Sequence, residues 1–308
     1  MPSAAEIRRL QDAHERILDQ LDERHSARLE SVLEELEDQI EELIGAGVRS
    51  PEDALGKRVG IQAALQGTFL GFADSTVRDY DEITASVVST LEQLALIEGF
   101  VPDDAKVITQ LKRLSFAGYQ DIANTYLSTI ADGLYQNVVA GRPDREIIKE
   151  MRQVINGVYA KTDDAAAMEL VEFVKRYKDN PRFADDVAEA VNKLHTIYAR
   201  DRVGNNLRRY AYQQVHDAIM QFNGSFTKWK ADQAGLKHFE YHGNLVKDSR
   251  DWCVSHQSRV MTEEEIREEW ATRTWQGKSP GDPFIVRGGY NCRHQFMPVD
   301  PEWYGITA

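Results

Sequence analysis

Two cysteines and two histidines near the C-terminal end of the sequence are the residues whose types and spacing could do chemistry together. "DWCVSH" carries Cys253 and His256 in C-x2-H spacing, and "GGYNCRH" carries Cys292 and His294 in C-x-H spacing. If the two segments meet, four sulfur and nitrogen donors converge, and zinc is the ion that takes thiolate and imidazole in a tetrahedron. Because C-x-H is tighter than the usual C-x2-C knuckle, three readings stay open: a structural zinc, packed thiols without metal, and a Cys253–Cys292 disulfide. A catalytic thiol would further need His256 or His294 as a base against one cysteine in a cleft that excludes water. A metal closed by four protein ligands would keep no open position for catalysis, so no catalytic residue is assigned.

Charged and small residues flank both segments. Asp248, Arg250 and Asp251 precede the first cysteine, and Arg287 and Arg293 surround the second. An Asp and an Arg meeting across a turn form paired hydrogen bonds that pin loops where the core is small. Gly288 and Gly289 are read as the turn itself, so that "PFIVRGGYNCRHQFMPV" becomes a strand, a glycine turn and a second strand. Trp252, Trp270 and Trp275 supply apolar filling.

The elements that must position these residues follow from periodicity. From Ile7 to Ile44 apolar residues recur three or four apart, at Ile7, Leu10, Ile17, Leu21, Leu29, Val32, Leu36, Ile40 and Leu43, which predicts one long amphipathic helix over residues 1–50. The spacing drifts near His25. His14 and His25 lie on or beside the stripe and are read as seam residues rather than ligands. The stripe also permits self-association, and "IGAGVRSP" ends the helix.

Over residues 51–199 the pattern predicts helix almost throughout, with breaks at "GFVPDD", "AGRPDRE" and "KDNPRFADD". The pairs Asp103–Asp104, Asp163–Asp164 and Asp185–Asp186 fall at predicted helix starts, where carboxylates cap free N–H groups. Gly60, Gly67 and Gly71 could allow close helix packing, but they lack the Lys and Ser/Thr of a phosphate loop. Residues 200–308 change character. A helix over Leu207–Gln221 leads to a strand in which Phe239 and Tyr241 alternate with His238, Glu240 and His242. Thr262 and Glu265 then stand in capping-box spacing before a short helix. The fold class is therefore mainly α, a long helical N-terminal region followed by a small α+β domain with a short antiparallel sheet.

Composition narrows the function classes. The chain has 308 residues, 42% hydrophobic and 28% charged, enough to bury a sizeable core. No apolar run approaches the roughly 20 residues of a spanning helix, so no membrane partner is expected. The opening residues have no apolar stretch followed by a small-residue cleavage site, and two cysteines cannot form a disulfide framework. A net charge of −13 argues against phosphate neutralisation by the whole molecule. Local DNA contact through Arg208, Arg209, Lys228 and Lys230, which stand beside aromatic residues, remains an expectation to test.

Three ordered segments also carry a resemblance. "DSRDWCVSH", "TEEEIREEW" and "GGYNCRH" resemble the C-terminal domain of phage Mu F-like head morphogenesis proteins, also called phage minor head proteins. The shared features are Asp-Ser-Arg before a cysteine, a Glu-Glu-Ile helix and an Asn-Cys-Arg-His ending, within roughly residues 200–302. "QSRV" departs from the family's turn after the first cysteine, and His256 stands where many relatives have a second cysteine. The resemblance implies a non-enzymatic virion protein, made in the host cytoplasm and present in few copies. It would help head assembly at the portal vertex or capsid interior, with portal or capsid proteins as partners, and bear on DNA packaging or ejection.

Overall fold

The computed structural model describes residues 2–45, 51–156, 158–159, 165–177, 183, 186–187, 189–190, 193, 202–203, 207–247 and 249–306. The protein is mainly helical with a small antiparallel sheet near its C-terminal end. In chain order the helices are α1 (Ala4–Gly45), α2 (Pro51–Arg78), α3 (Tyr80–Gln93), α4 (Pro102–Val139), α5 (Asp144–Asn156) and α6 (Ala165–Tyr177). Then come α7 (Leu207–Gln233), α8 (Asp251–His256), α9 (Glu263–Thr272) and α10 (Pro283–Val286). The strands are β1 (Val158–Tyr159), β2 (Arg202–Val203), β3 (His238–His242), β4 (Val260–Thr262) and β5 (Gln295–Pro298). Among the described residues no helix is long and apolar enough to cross a membrane.

The long first helix forms as its periodicity predicts, but its buried stripe is shifted. Ile7, Leu10, His14, Leu18, Leu21, His25, Leu29, Leu33, Leu36, Ile40 and Ile44 are each at most 7% exposed. Leu18 and Leu33 take the places expected of Ile17 and Val32. His14 and His25 occupy full seam positions, which is why the apolar spacing alone drifted beside them. The helix-ending residues 46–50 lie outside the described residues, as do Asp163, Asp164 and Asp185.

Two compact units emerge, each discontinuous in sequence. One comprises residues 1–34, 62–127 and 211–308, and the other residues 35–61 and 128–210. The division therefore cuts across the ranges 1–50, 51–199 and 200–308. In the smaller unit, α5 buries Ile147, Met151 and Ile155 on one face, and β1 pairs with β2 through Val158 opposite Val203.

The larger unit holds the three-stranded sheet, in the order β4-β3-β5 with both pairings antiparallel. Phe239 and Tyr241 on central β3 enter a core with Trp252, Cys253, Met261, Ile266, Trp270, Phe284, Cys292 and Phe296. On the opposite face Glu240 is buried too, accepting hydrogen bonds from Gln11 Nε2 and the Tyr304 hydroxyl, both at 2.9 Å. The capping box forms as expected, with Thr262 and Glu265 exchanging side-chain to backbone bonds. The expected hairpin does not form. Pro283–Val286 is instead one helical turn, started by Pro at its first position and by the Asp282 side chain accepting from the Phe284 N–H. Strand β5 pairs with β3, a partner more remote in sequence than the turn suggested.

Helix α7 runs on past Gln221 to Gln233, through Gly224. A Cβ at Gly224 would stand 2.4 Å from the Phe284 carbonyl oxygen, so this glycine allows close approach without ending the helix. By contrast, a Cβ at Gly60, Gly67 or Gly71 would meet nothing within 4 Å, and close packing is not their use. Asp104 accepts the Val101 N–H at 2.8 Å, as a capping residue should, and also pairs with Lys230 at 2.9 Å in full burial.

One buried chain of hydrogen bonds crosses the larger unit. His14 Nδ1 lies 2.7 Å from Ser86 Oγ, His14 Nε2 lies 2.9 Å from Asn223 Oδ1, and Asn223 Nδ2 donates to Gln295 Oε1 at 2.7 Å. The carboxamide oxygen can only accept, so His14 Nε2 carries the proton and Nδ1 accepts from the serine hydroxyl. Burial, the largest cause, lowers the His14 pKa from 6.5 to about 4. Its contribution is then fully present above pH 6.5 and is lost as pH falls toward 4, because only the unfolded state gains the proton there. Urea denaturation should show wild type losing about 2 kcal/mol from this residue between pH 7.5 and pH 5, and His14→Gln losing correspondingly less.

Candidate functional site

The Cys253 and Cys292 segments meet at the core of the larger unit. Cys253 lies on α8, and Cys292 lies in the turn that leads into β5. Their sulfurs are 3.8 Å apart, both free and both at most 3% exposed. His294 Nδ1 lies 3.9 Å from Cys292 Sγ, and the Tyr241 hydroxyl reaches Cys253 Sγ at 3.5 Å and Cys292 Sγ at 3.4 Å. The rings of Tyr241 and His294 stack, with centroids 5.0 Å apart and planes at 5°. Sequence reasoning placed Tyr241 on one side of its strand with Phe239 but gave it no part in the site; the alternation of that pair with His238, Glu240 and His242 was the available signal.

His256 is not the fourth member. Its Nδ1 lies 2.7 Å from the Trp252 carbonyl and 2.9 Å from Ser255 Oγ, and its Nε2 lies 2.9 Å from Glu269 Oε2. The ring stacks on Trp252 at 3.7 Å. The C-x2-H spacing within one helix leaves both residues on the same side, but the buried imidazole takes the nearest polar partners instead of the thiol. With both nitrogens engaged, His256 has none to offer as a base to Cys253.

The glycine pair divides its work. Gly289 adopts φ 108°, and a Cβ there would fall 1.9 Å from the Gly277 carbonyl oxygen. Gly288 serves packing: a Cβ would lie 2.6 Å from Cys253 Sγ, 2.9 Å from Cys292 Sγ and 3.1 Å from the Tyr241 hydroxyl. Its N–H also donates to Cys292 Sγ at 3.3 Å. The turn is completed by Arg287 at φ 54° and Asn291 at φ 53°, in a region that favours glycine. Partners hold both: the Arg287 guanidinium donates to the Ile285 carbonyl at 2.6 Å and lies 3.7 Å from Asp217, which accepts the Asn291 N–H at 2.8 Å.

Pinning by arginine occurs with partners other than the flanking aspartates. Arg250 donates to the Tyr290 carbonyl at 2.6 Å and lies over the Tyr290 ring at 4.5 Å. Arg287, 1% exposed, is paired with Asp217 of α7, which sequence spacing did not reveal. Arg293 is exposed and takes no part in the closure, and Asp248 lies outside the described residues. The three tryptophans pack as expected, with centroid separations of 5.3, 4.6 and 4.8 Å.

Electrostatics make the two thiols unequal. The hydrogen bond between them raises Cys253 and lowers Cys292, and His294 and Arg287 lower Cys292 further. The Gly288 N–H also donates to Cys292 Sγ. A sulfur sealed from solvent is a ligand or a packed structural group rather than an accessible nucleophile. Sulfurs about 2.3 Å from a tetrahedral zinc stand about 3.8 Å apart. The observed sulfur separation equals that spacing, and the donor atoms of Cys253, Cys292 and His294, without His256, lie within 4.8 Å of one another.

The basic residues singled out for DNA contact are otherwise engaged. Lys230 is 2% exposed and bonds Asp104 and the Gly99 carbonyl. Lys228 pairs with Asp232 and Glu263, and Arg208 with Glu37. No protein-family model, curated protein or solved structure matches the chain. Because its missing side chain is what admits three polar atoms, Gly288→Ala should lower unfolding stability by about 1–3 kcal/mol in urea titration.

Proposed function

We propose that this chain is a phage minor head protein, a structural component of the virion without enzymatic activity. It would be made in the host cytoplasm and act in head assembly at the portal vertex or capsid interior, beside portal or capsid proteins. The observation that carries the reading is the convergence of three separate motif segments on one packed cluster. "DSRDWCVSH" supplies Cys253 and Trp252, "TEEEIREEW" supplies Ile266 and Trp270, and "GGYNCRH" supplies Cys292, all within a single core. Such convergence is what a motif-bearing structural unit requires, since each segment alone buries too little to hold its shape.

The same cluster supports a structural zinc held by Cys253, Cys292 and His294, with the Tyr241 hydroxyl at the remaining corner. Enclosure of all these donors favours a staple over a catalytic centre. Mass spectrometry of purified particles should detect the chain at low copy number, and its absence from virions would sink the proposal. Separately, protein purified without chelator should retain a zinc ion that Cys292→Ser loses, with a drop in thermal midpoint matched by chelator treatment of wild type.

A further inference from the structure

A second group of donors lies where α1 passes the end of β3. Asp12 and Glu15 are three residues apart in α1 and so share one helix face. His242 is the last residue of β3, held in register opposite Gln295 of β5. Its Nε2 lies 3.6 Å from Asp12 Oδ1 and 3.5 Å from Glu15 Oε2. The residue is 9% exposed, and that nitrogen is sealed from solvent without a hydrogen-bond partner.

These separations are long for hydrogen bonds but match neighbouring ligands of one ion. Nitrogen and oxygen donors about 2.0–2.2 Å from a cation stand roughly 3.0–3.5 Å apart. We propose that Asp12, Glu15 and His242 form a binding site for a divalent transition-metal cation. The set is distinct from the thiol cluster, and the inference does not depend on the function proposed above.

Each group has a defined part. His242 provides the buried nitrogen, whose lack of a partner is costly until an ion satisfies it. Two carboxylates neutralise the doubly charged cation in a half-buried place. Glu15 Oε1 is held by the Asn244 amide at 3.1 Å, which leaves Oε2 directed at the site. The Asp12 side chain is 47% exposed against 14% for Glu15, so entry and the remaining water ligands belong on the Asp12 side. Imidazole with carboxylates suits Mn2+ or Zn2+ over Ca2+, which prefers all-oxygen sites, and the absence of sulfur separates its preference from that of the thiol cluster. Bound there, the cation would tie α1 to the end of β3, segments more than two hundred residues apart; the supporting Asn244–Glu15 pair is 229 positions apart.

The test uses Mn2+, which thiolates bind poorly, added to chelator-treated full-length protein and followed by the electron paramagnetic resonance of free Mn2+. Wild type should deplete the free-ion signal, and pulsed spectra should carry nitrogen modulation from an imidazole ligand. His242→Gln should abolish that modulation and weaken binding at least about tenfold. Asp12→Asn is an isosteric change at a half-exposed helix position, and should weaken binding by a similar factor. Failure of wild type to deplete the signal, depletion without nitrogen modulation, or undiminished binding in Asp12→Asn would each overturn the proposal.

Discussion

The His14 imidazole, with the Asn223 and Gln295 carboxamides beyond it, has no water to turn to, and the larger unit is organised around that fact. An unpaired polar atom in such a place costs about 1–3 kcal/mol, so each must meet a partner brought from elsewhere in the chain. Ser86 of α3, Asn223 of α7 and Gln295 of β5 are those partners, and through them α1 is held to three other elements. Lys230 with Asp104, and Glu240 with Gln11 and Tyr304, repeat the arrangement at other depths. Apolar burial supplies most of the stabilisation, but it is tolerant of sliding; these polar pairs select one register.

The thiol cluster obeys the same constraint with softer atoms. Cys253, Cys292, His294 and Tyr241 are packed closely enough that Gly288 has no room for a side chain. The contact with Cys253, and then His294 and Arg287, lower the Cys292 thiol. Rigid surroundings of tryptophan and phenylalanine keep the donors in place, which suits a permanent staple.

Much of the architecture was legible residue by residue. The first helix, the capping box at Thr262, the inward pair Phe239 and Tyr241, and the tryptophan filling all follow from patterns within one or two turns of chain. The seam was misplaced by one position at Leu18 and Leu33, where adjacent apolar residues (Ile17–Leu18 and Val32–Leu33) both fit a three-or-four spacing and only packing selects between them. The hairpin expected around Gly288 failed because glycine marks both turns and close contacts, and spacing cannot distinguish them. The helix expected to end at Gln221 instead continues through Gly224, whose close contact is with a carbonyl on a segment sixty residues later.

Sequence alone determined the helical class, the presence of an amphipathic stripe and the two cysteines as a sulfur pair, because these depend on local periodicity and on chemistry each residue carries with it. Tertiary structure decided that His294 and not His256 joins the two cysteines, that Tyr241 completes the group, and that Arg287 answers to Asp217. It also decided that Lys230 is a buried ion-pair partner and not a surface cation. The physical reason is common to all of these. A side chain's role is set by which distant polar atom must be satisfied when water is excluded, and that depends on which segments pack together, not on their spacing in the chain.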